Sequence, residues 1–551
     1  MKKMAAAWTI VAAAALACVA GETRTGEPRI AIKEASFRYW SPEMHQLHVR
    51  LLVQARPIGG EERIIPKSVR VDDQPVRESY WYFDGENFAY GSFSAASRRR
   101  IEVFVPLPWR ANRRYQVTLS YEYGGVEEQA TATLAAPATG GTWERATGPN
   151  RSFLVREQAA LARVFEPVEF DLTVPAIDFP QPERLVRATV MSEPGVFREL
   201  PCQVYSVEHH SQSGGGVTIS DVVRFRATIP ISFEPNQERL VILWSCTEPP
   251  RDVPVAVRLQ GSAIGGTVEN RFYRIALQEQ GGQLESWFDK RFNLKFEYFE
   301  GRSNPPGPHP IQITPDVFRH GAPWSHASDW KEPAKREIAG PVFVETIRGG
   351  PMAGAPEILA RVTYRFYGER PEVRISSVMR VIRDTTVMAF RNGGMIFDHR
   401  LFTHAAWPRQ DGTVNVVPIS ECRGNDNGAP PPGRFPWDTP WVAFYNADTR
   451  IGIALITTRL AFFHDGAYHP NHSGGLYYVS LYHDRFLYTV RAMNMNYSSH
   501  IRTYPSLLRA GTTLYEEMAM MPFQSEAGSK NPFESVEALR AQILRPLVLV
   551  P

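Results

Sequence analysis

The chain has 551 residues, 43% of them hydrophobic and 22% charged, which is enough apolar material for several buried cores and rules out wholesale disorder. Its 40 glycines and 44 prolines suit a turn-dense chain and exclude collagen-like or low-complexity composition. The formal net charge is +3 with no long basic run, which argues against nucleic-acid binding through a cationic surface. Only 9 of the 61 basic residues are lysine, and none lies between Lys335 and Lys530. Chemistry in that stretch must use a base other than lysine.

At the N-terminus Lys2 and Lys3 precede an apolar run, Trp8 to Ala17, that ends in the small-residue pattern Ala15-Leu16-Ala17. Residues 1–20 therefore read as a signal peptide, and the mature chain is expected to be exported, periplasmic or extracellular. Cys18 raises the alternative of a lipid anchor, although Leu16 lies one position nearer the cysteine than the usual lipobox leucine. No run reaches the ~18 apolar residues of a membrane span, so no transmembrane segment is expected.

Residues 27–135 carry short alternating runs, such as Leu47–Val53 and Tyr115–Tyr121, separated by Gly59-Gly60 and Gly124-Gly125. This pattern predicts an immunoglobulin-like β-sandwich. Ala135 to Gly141 reads as a linker. Arg156 to Phe165 is expected to form a short helix. A second β domain follows over residues 165–262. Cys202 and Cys246 fall together in it, and export predicts a disulfide between them.

From residue 266 to 523 alternating strands recur without clear helices, and the runs Ile358–Tyr367 and Val373–Ile382 flank a tight turn. Antiparallel β-structure of this length implies a two-sheet sandwich. At residues 531–545 the period changes. Asn531 can cap, Pro532 suits a first turn, and Phe533, Val536, Leu539 and Ile543 form one helical stripe. The expected fold is thus all-β, with two N-terminal β-sandwich domains, a large antiparallel β-supersandwich and a short C-terminal helix.

Glu269–Ile275 followed by Gly281-Gly282-Gln283-Leu284-Glu285-Ser286-Trp287-Phe288-Asp289-Lys290 resembles the strand–turn–strand opening of galactose-mutarotase-like supersandwiches. Such domains occur in aldose epimerases, polysaccharide lyases and the C-terminal part of family 38 α-mannosidases. Tyr364–Tyr367 and Val373–Val378 are similar to the long paired strands of such sandwiches. The resemblance implies a carbohydrate ligand and carries over no catalytic residue.

Candidate chemistry therefore comes from local clusters. Between Phe390 and Trp407 lie Arg391, Asn392, Gly393, Gly394, Asp398, His399, Arg400 and His404. Elimination from a uronic acid needs a neutralised carboxylate, a base and a proton donor. Arg391 and Asn392 suit the first role, His399 or His404 the second, Tyr482 or Tyr488 the third. Trp407, Trp437 and Trp441 sit among loop-forming residues and are expected to offer stacking faces to sugar rings, as are Trp324, His326 and Trp330. His464, Asp465, His469 and His472 are close enough in sequence to hold a divalent ion, although their spacing matches no metal template. The favoured reading requires no cofactor. It is a secreted polysaccharide lyase acting on uronic-acid-containing polysaccharide or oligosaccharide with a His base and a Tyr acid. Paired carboxylates, Glu421 with Asp426 or Asp398 with Asp438, keep a glycoside hydrolase open. The alternative is a non-catalytic carbohydrate-binding or surface-assembly β-sandwich protein.

Overall fold

The computed structural model describes residues 30–550 apart from internal segments that include 136–149, 247–254, 425–432, 469–475 and 496–504. The leader with Cys18, and all of the linker except Ala135, lie outside the described residues. The fold is all-β, with several antiparallel sheets and a short C-terminal helix.

Residues 30–135 contribute two five-stranded sheets. Alternation along Arg114–Tyr123 buries Tyr115, Val117, Leu119 and Tyr121, as a half-buried strand requires. Next, a five-stranded sheet runs in the order Val196–Leu200, Val186–Glu193, Glu238–Ser245, Asn150–Arg156 and Val548–Val550. It faces a three-stranded sheet of Arg163–Pro175, Val217–Phe233 and Gln203–Gly214. The far C-terminus thus returns to pair with Asn150–Arg156, placing Val550 opposite Leu154.

No helix spans Arg156 to Phe165. The Asn150–Arg156 strand ends there, and the next begins at Arg163. Between them the Glu157 carboxylate accepts from the amides of Ala159, Leu161 and Asn236, which satisfies donors a helix would have used. The disulfide is also absent: Cys202 and Cys246 are not joined. Cys202 packs on the core between the two sheets with Val204, whereas Cys246 sits with Leu240, Ile242 and Trp244 on the outer side of the five-stranded sheet. Its thiol donates to the Leu185 carbonyl at 3.0 Å. Sharing a domain did not place the two side chains on one face.

The supersandwich comprises a five-stranded sheet from Val257 to Phe296, a seven-stranded sheet and a ten-stranded sheet. Its core runs from Val257 to Met520 and includes Trp287, Tyr364, Phe397 and Phe444. Helix Glu534–Leu544 and the residue before it lay Phe533, Val536 and Leu539 on the far side of the ten-stranded sheet, where Ala406, Ala443, Ala454 and Ala519 leave room for them.

The second sandwich is joined to the supersandwich by polar contacts. Gln203 Oε1 accepts from the amides of Val342 and Phe343. Arg370, buried, donates to Glu166 at 2.8 Å and to Glu372 at 2.5 Å. Arg163 donates to the carbonyls of Gln542 and Arg545, meeting the end of the C-terminal helix with positive charge. Removing one partner of a buried ion pair typically costs ~3–5 kcal/mol, because the other charge is stranded. Arg370→Met should therefore lower the urea midpoint strongly, whereas exposed Arg400→Met should leave it within error. Mass mapping of non-reduced, alkylated peptides should find both Cys202 and Cys246 modified.

Candidate functional site

The seven-stranded sheet carries a dense set of chemistry-bearing side chains among the described residues. Its order is Ser325–His326, Asp316–Phe318, Ala389–Phe397, Phe486–Met495, Leu476–Tyr482 and Arg423–Gly424, with Arg434–Phe435 also paired to Leu476–Tyr482. Successive residues of a strand face opposite sides. Tyr477, Val479, Leu481 and Leu487 enter the core. Tyr478, Ser480, Tyr482 and Tyr488 consequently lie on the face turned away from the ten-stranded sheet. Arg391 belongs to that same outer face.

Arg391 is the centre of the outer face. Its guanidinium grips Asp316 with two bonds, Nε to Oδ1 at 2.7 Å and Nη2 to Oδ2 at 2.5 Å. Its Cζ lies 3.9 Å from the ring centroid of Trp324, which stacks in turn near Phe318 and His326. His326 Nδ1 stands 3.3 Å from Asp316 Oδ2. Burial pushes the Asp316 carboxyl up, but Arg391 and His326 together outweigh it and hold it below the ordinary aspartate value. Burial opposes the charge on Arg391 as well, and Asp316 more than compensates, raising its pKa. The Tyr478 and Tyr488 hydroxyls lie near enough to Arg391 to add to that effect. Tyr488 approaches Tyr478 with hydroxyls 3.5 Å apart, and burial holds its proton well above the usual phenol range.

Asn392 projects the opposite way. It is fully buried between the sheets and accepts from Ser377 Oγ at 2.9 Å. Arg491 and Glu516 lie in the same interior, with Nη1 and Oε1 3.3 Å apart, and Arg491 also donates to Thr457 Oγ1. Burial outweighs Arg491 and raises the Glu516 carboxyl above its ordinary value. The neighbouring Gly393 has φ +58, and a Cβ there would come 2.8 Å from Glu516 Oε2. Glycine is needed at this position for both reasons.

The other sequence candidates are scattered. His399 follows the Ala389–Phe397 strand, with Nδ1 3.2 Å from the Arg485 carbonyl in the hairpin that carries Tyr482 and Tyr488. His404 lies in the ten-stranded sheet, bonded to Thr403 Oγ1 and stacked on Tyr445. Trp407, Trp437 and Trp441 are buried rather than exposed. Trp441 packs on Phe533 beneath the helix, and Trp437 lies beside Arg491. Trp407 stacks near Phe435 and, with Arg409 and Arg434, lines a shallow recess of about 480 Å³ at the sheet edge. Trp330 is likewise buried, its indole N–H donating to the Pro351 carbonyl. Asp465, His469 and His472 fall outside the described residues, and His464 Nδ1 lies 3.0 Å from Thr512 Oγ1. Asp316 went unread in the sequence, since its strand has only three residues and its partner Arg391 is 75 positions away.

No protein-family model matches the chain, and no curated protein matches it. Solved structures similar to it include an alpha-mannosidase from Enterococcus faecalis V583, with TM-score 0.44, 11% identity, and coverage of 73% of this chain and 46% of that one. This chain thus spans less than half the length of that mannosidase. They also include a galactose mutarotase-like protein from Lactobacillus casei, with TM-score 0.27, 13% identity, and coverage of 47% and 99%. A putative aldose 1-epimerase from Escherichia coli K12 has TM-score 0.27, 10% identity, and coverage of 49% and 99%.

The Asp316 carboxyl yields a pH prediction. Its folded pKa is depressed, so its stabilising contribution is present above the ordinary carboxylate value and is lost as pH falls through the folded one. Asp316→Asn should lower stability at neutral pH, by ~3–5 kcal/mol if Arg391 is left uncompensated. It should also flatten the acid limb of the stability–pH curve below about pH 4. An acid limb unchanged from wild type would contradict the assignment.

Proposed function

We propose that this chain is an exported carbohydrate-active protein that holds a glycan across the outer face of its seven-stranded sheet. The observation that carries this reading is the continuity of that face. Crossing from the Ser325–His326 strand, the part-exposed His326 and Tyr488 lead to exposed Arg434 at the far edge, over a buried layer formed by the Asp316–Arg391 pair and Tyr478. Five strand intervals at ~4.8 Å make a strip about 24 Å wide. Aromatic rings and hydroxyls suit the apolar faces and polar edges of sugar rings.

His326 is the residue on this face equipped to move a proton. Asp316 lies beside Nδ1, which leaves Nε2 for a ligand, and the ring is partly exposed. Tyr488, held protonated by burial, suits a hydroxyl donor. Uronate elimination needs in addition a cation free for the substrate carboxylate. Arg391 is already matched by Asp316, and Asn392 faces the interior. The polysaccharide-lyase reading thus keeps His399, Tyr482 and Tyr488 without the neutralising group assigned to it.

The test is affinity electrophoresis of the full chain in gels containing neutral or uronate polysaccharides, followed by assays of product ends. Tyr488→Ala should reduce retention about tenfold. His326→Gln should leave retention intact while lowering turnover ~10²–10⁴-fold, the usual cost of a lost general acid or base. Full turnover in His326→Gln would remove His326 from the chemistry. Retention unchanged in Tyr488→Ala would remove the sheet face as the binding surface.

A further inference from the structure

A cleft of about 760 Å³ lies elsewhere, between the second sandwich and the supersandwich. Its volume suits a ligand the size of a short oligosaccharide. One wall comes from Val190, the Arg198–Pro201 segment, Pro230–Ser232 and Arg239; the other comes from Arg271, Pro341-Val342 and the Tyr367–Arg370 segment. Four arginines line it.

Two of those arginines are already matched. Arg370 is bound by Glu166 and Glu372, and Arg271 lies 3.0 Å from Glu369. The carboxylate of Glu199, also in the wall, is drawn to Arg187 at 3.6 Å. Arg198 and Arg239 remain. Among the described residues neither has a carboxylate within ion-pairing distance. Arg239 is half-buried, and its Nε makes no hydrogen bond. Burial pulls its pKa down and Glu234 offsets this only in part, but a guanidinium does not give up its proton near neutrality, so it stays a cation with its Nε unsatisfied.

The two residues point into the same space. Arg198 is paired with Val190, and Val190 with Val241, so Arg198 shares a face with Val241 and with Arg239 two residues along. One strand separates theirs, a lateral distance of about 10 Å, which two long side chains can close onto one ligand. Phe233 lies 6.0 Å from the Arg239 guanidinium, and Phe165 with Pro201 and Pro230 gives the cleft an apolar side.

We propose that this interdomain cleft binds a carboxylate-bearing sugar through the guanidinium groups of Arg198 and Arg239. The carboxylate supplies the fork-shaped acceptor each guanidinium lacks. The apolar wall takes the ring. Its position at the join between domains lets an acidic glycan be held at a distance from the proton-transfer residues of the sheet face. The cleft stands whether or not the sheet face is the reactive site, because it shares no residue with it.

The test is calorimetric titration of the full chain with a hexuronate tetrasaccharide, with its carboxyl-reduced neutral counterpart, and with free citrate. The acidic oligosaccharide should bind about tenfold more tightly than the neutral one. Binding should weaken as salt rises. Citrate binding as tightly as the oligosaccharide would overturn the sugar assignment and leave a plain anion site. Arg198→Gln and Arg239→Gln should each weaken the acidic ligand about tenfold, and Arg509→Gln, exposed and outside both the cleft and the sheet face, should not. Arg198 is exposed, so its variant folds even if that of Arg239 does not. Unchanged affinity in Arg198→Gln, or equal binding of the neutral oligosaccharide, would overturn the proposal.

Discussion

The ion pair between Arg391 and Asp316 organises the seven-stranded sheet. Two parallel hydrogen bonds tie the three-residue strand Asp316–Phe318 to the long strand Ala389–Phe397, which a short strand alone would hold weakly. The same carboxylate stands beside His326, and the same guanidinium covers the ring of Trp324. One buried pair thus fixes a strand, orients an imidazole and occupies an aromatic face. Desolvating both charges is costly, and the cost is offset only because every bond in the pair is well aimed.

On the other side of the same sheet, Arg491 and Glu516 make a poorer match. They are as deeply buried, but their closest atoms are 3.3 Å apart, and the Nε of Arg491 and the Oε2 of Glu516 make no hydrogen bond. The difference appears in the carboxyls: Asp316 is held below its ordinary value, whereas Glu516 is pushed above it. Asp316 has a two-bond grip from Arg391 and a second partner in His326, whereas Glu516 has Arg491 alone, and that difference decides which side of the balance each carboxyl falls on.

Arginine does similar work at the joins between domains. Arg163, Arg365 and Arg370 each reach across from one body to another, and each meets carboxylates or carbonyls with several donors at once. A lysine ammonium would bring a single point charge to the same places. The interdomain cleft lies beside these contacts, so its shape depends on the same rigid connections. Gly393 and the run of alanines under the C-terminal helix are the complementary devices, since both remove bulk where two layers approach.

The all-β fold, the long paired strands and the C-terminal helix were legible in the sequence because they are local. Alternation at period two and a stripe at period 3.6 reflect which side of each element meets water. Val373–Ile382 and the Phe533–Ile543 stripe needed no knowledge of their neighbours. Which residues form the site was not legible, because cross-strand pairing joins positions far apart in the chain. Arg391 and Asn392 are adjacent in sequence, yet the pleat sends one outward to Asp316 and the other inward to Ser377. Cys202 and Cys246 share a domain but occupy opposite sides of a sheet, and tryptophans flanked by turn residues became core once strands closed over them. The sequence by itself determined which segments would be strands and which faces would be apolar. Only the tertiary structure decided which polar side chains meet, because that depends on sheet order and register, which no local pattern records.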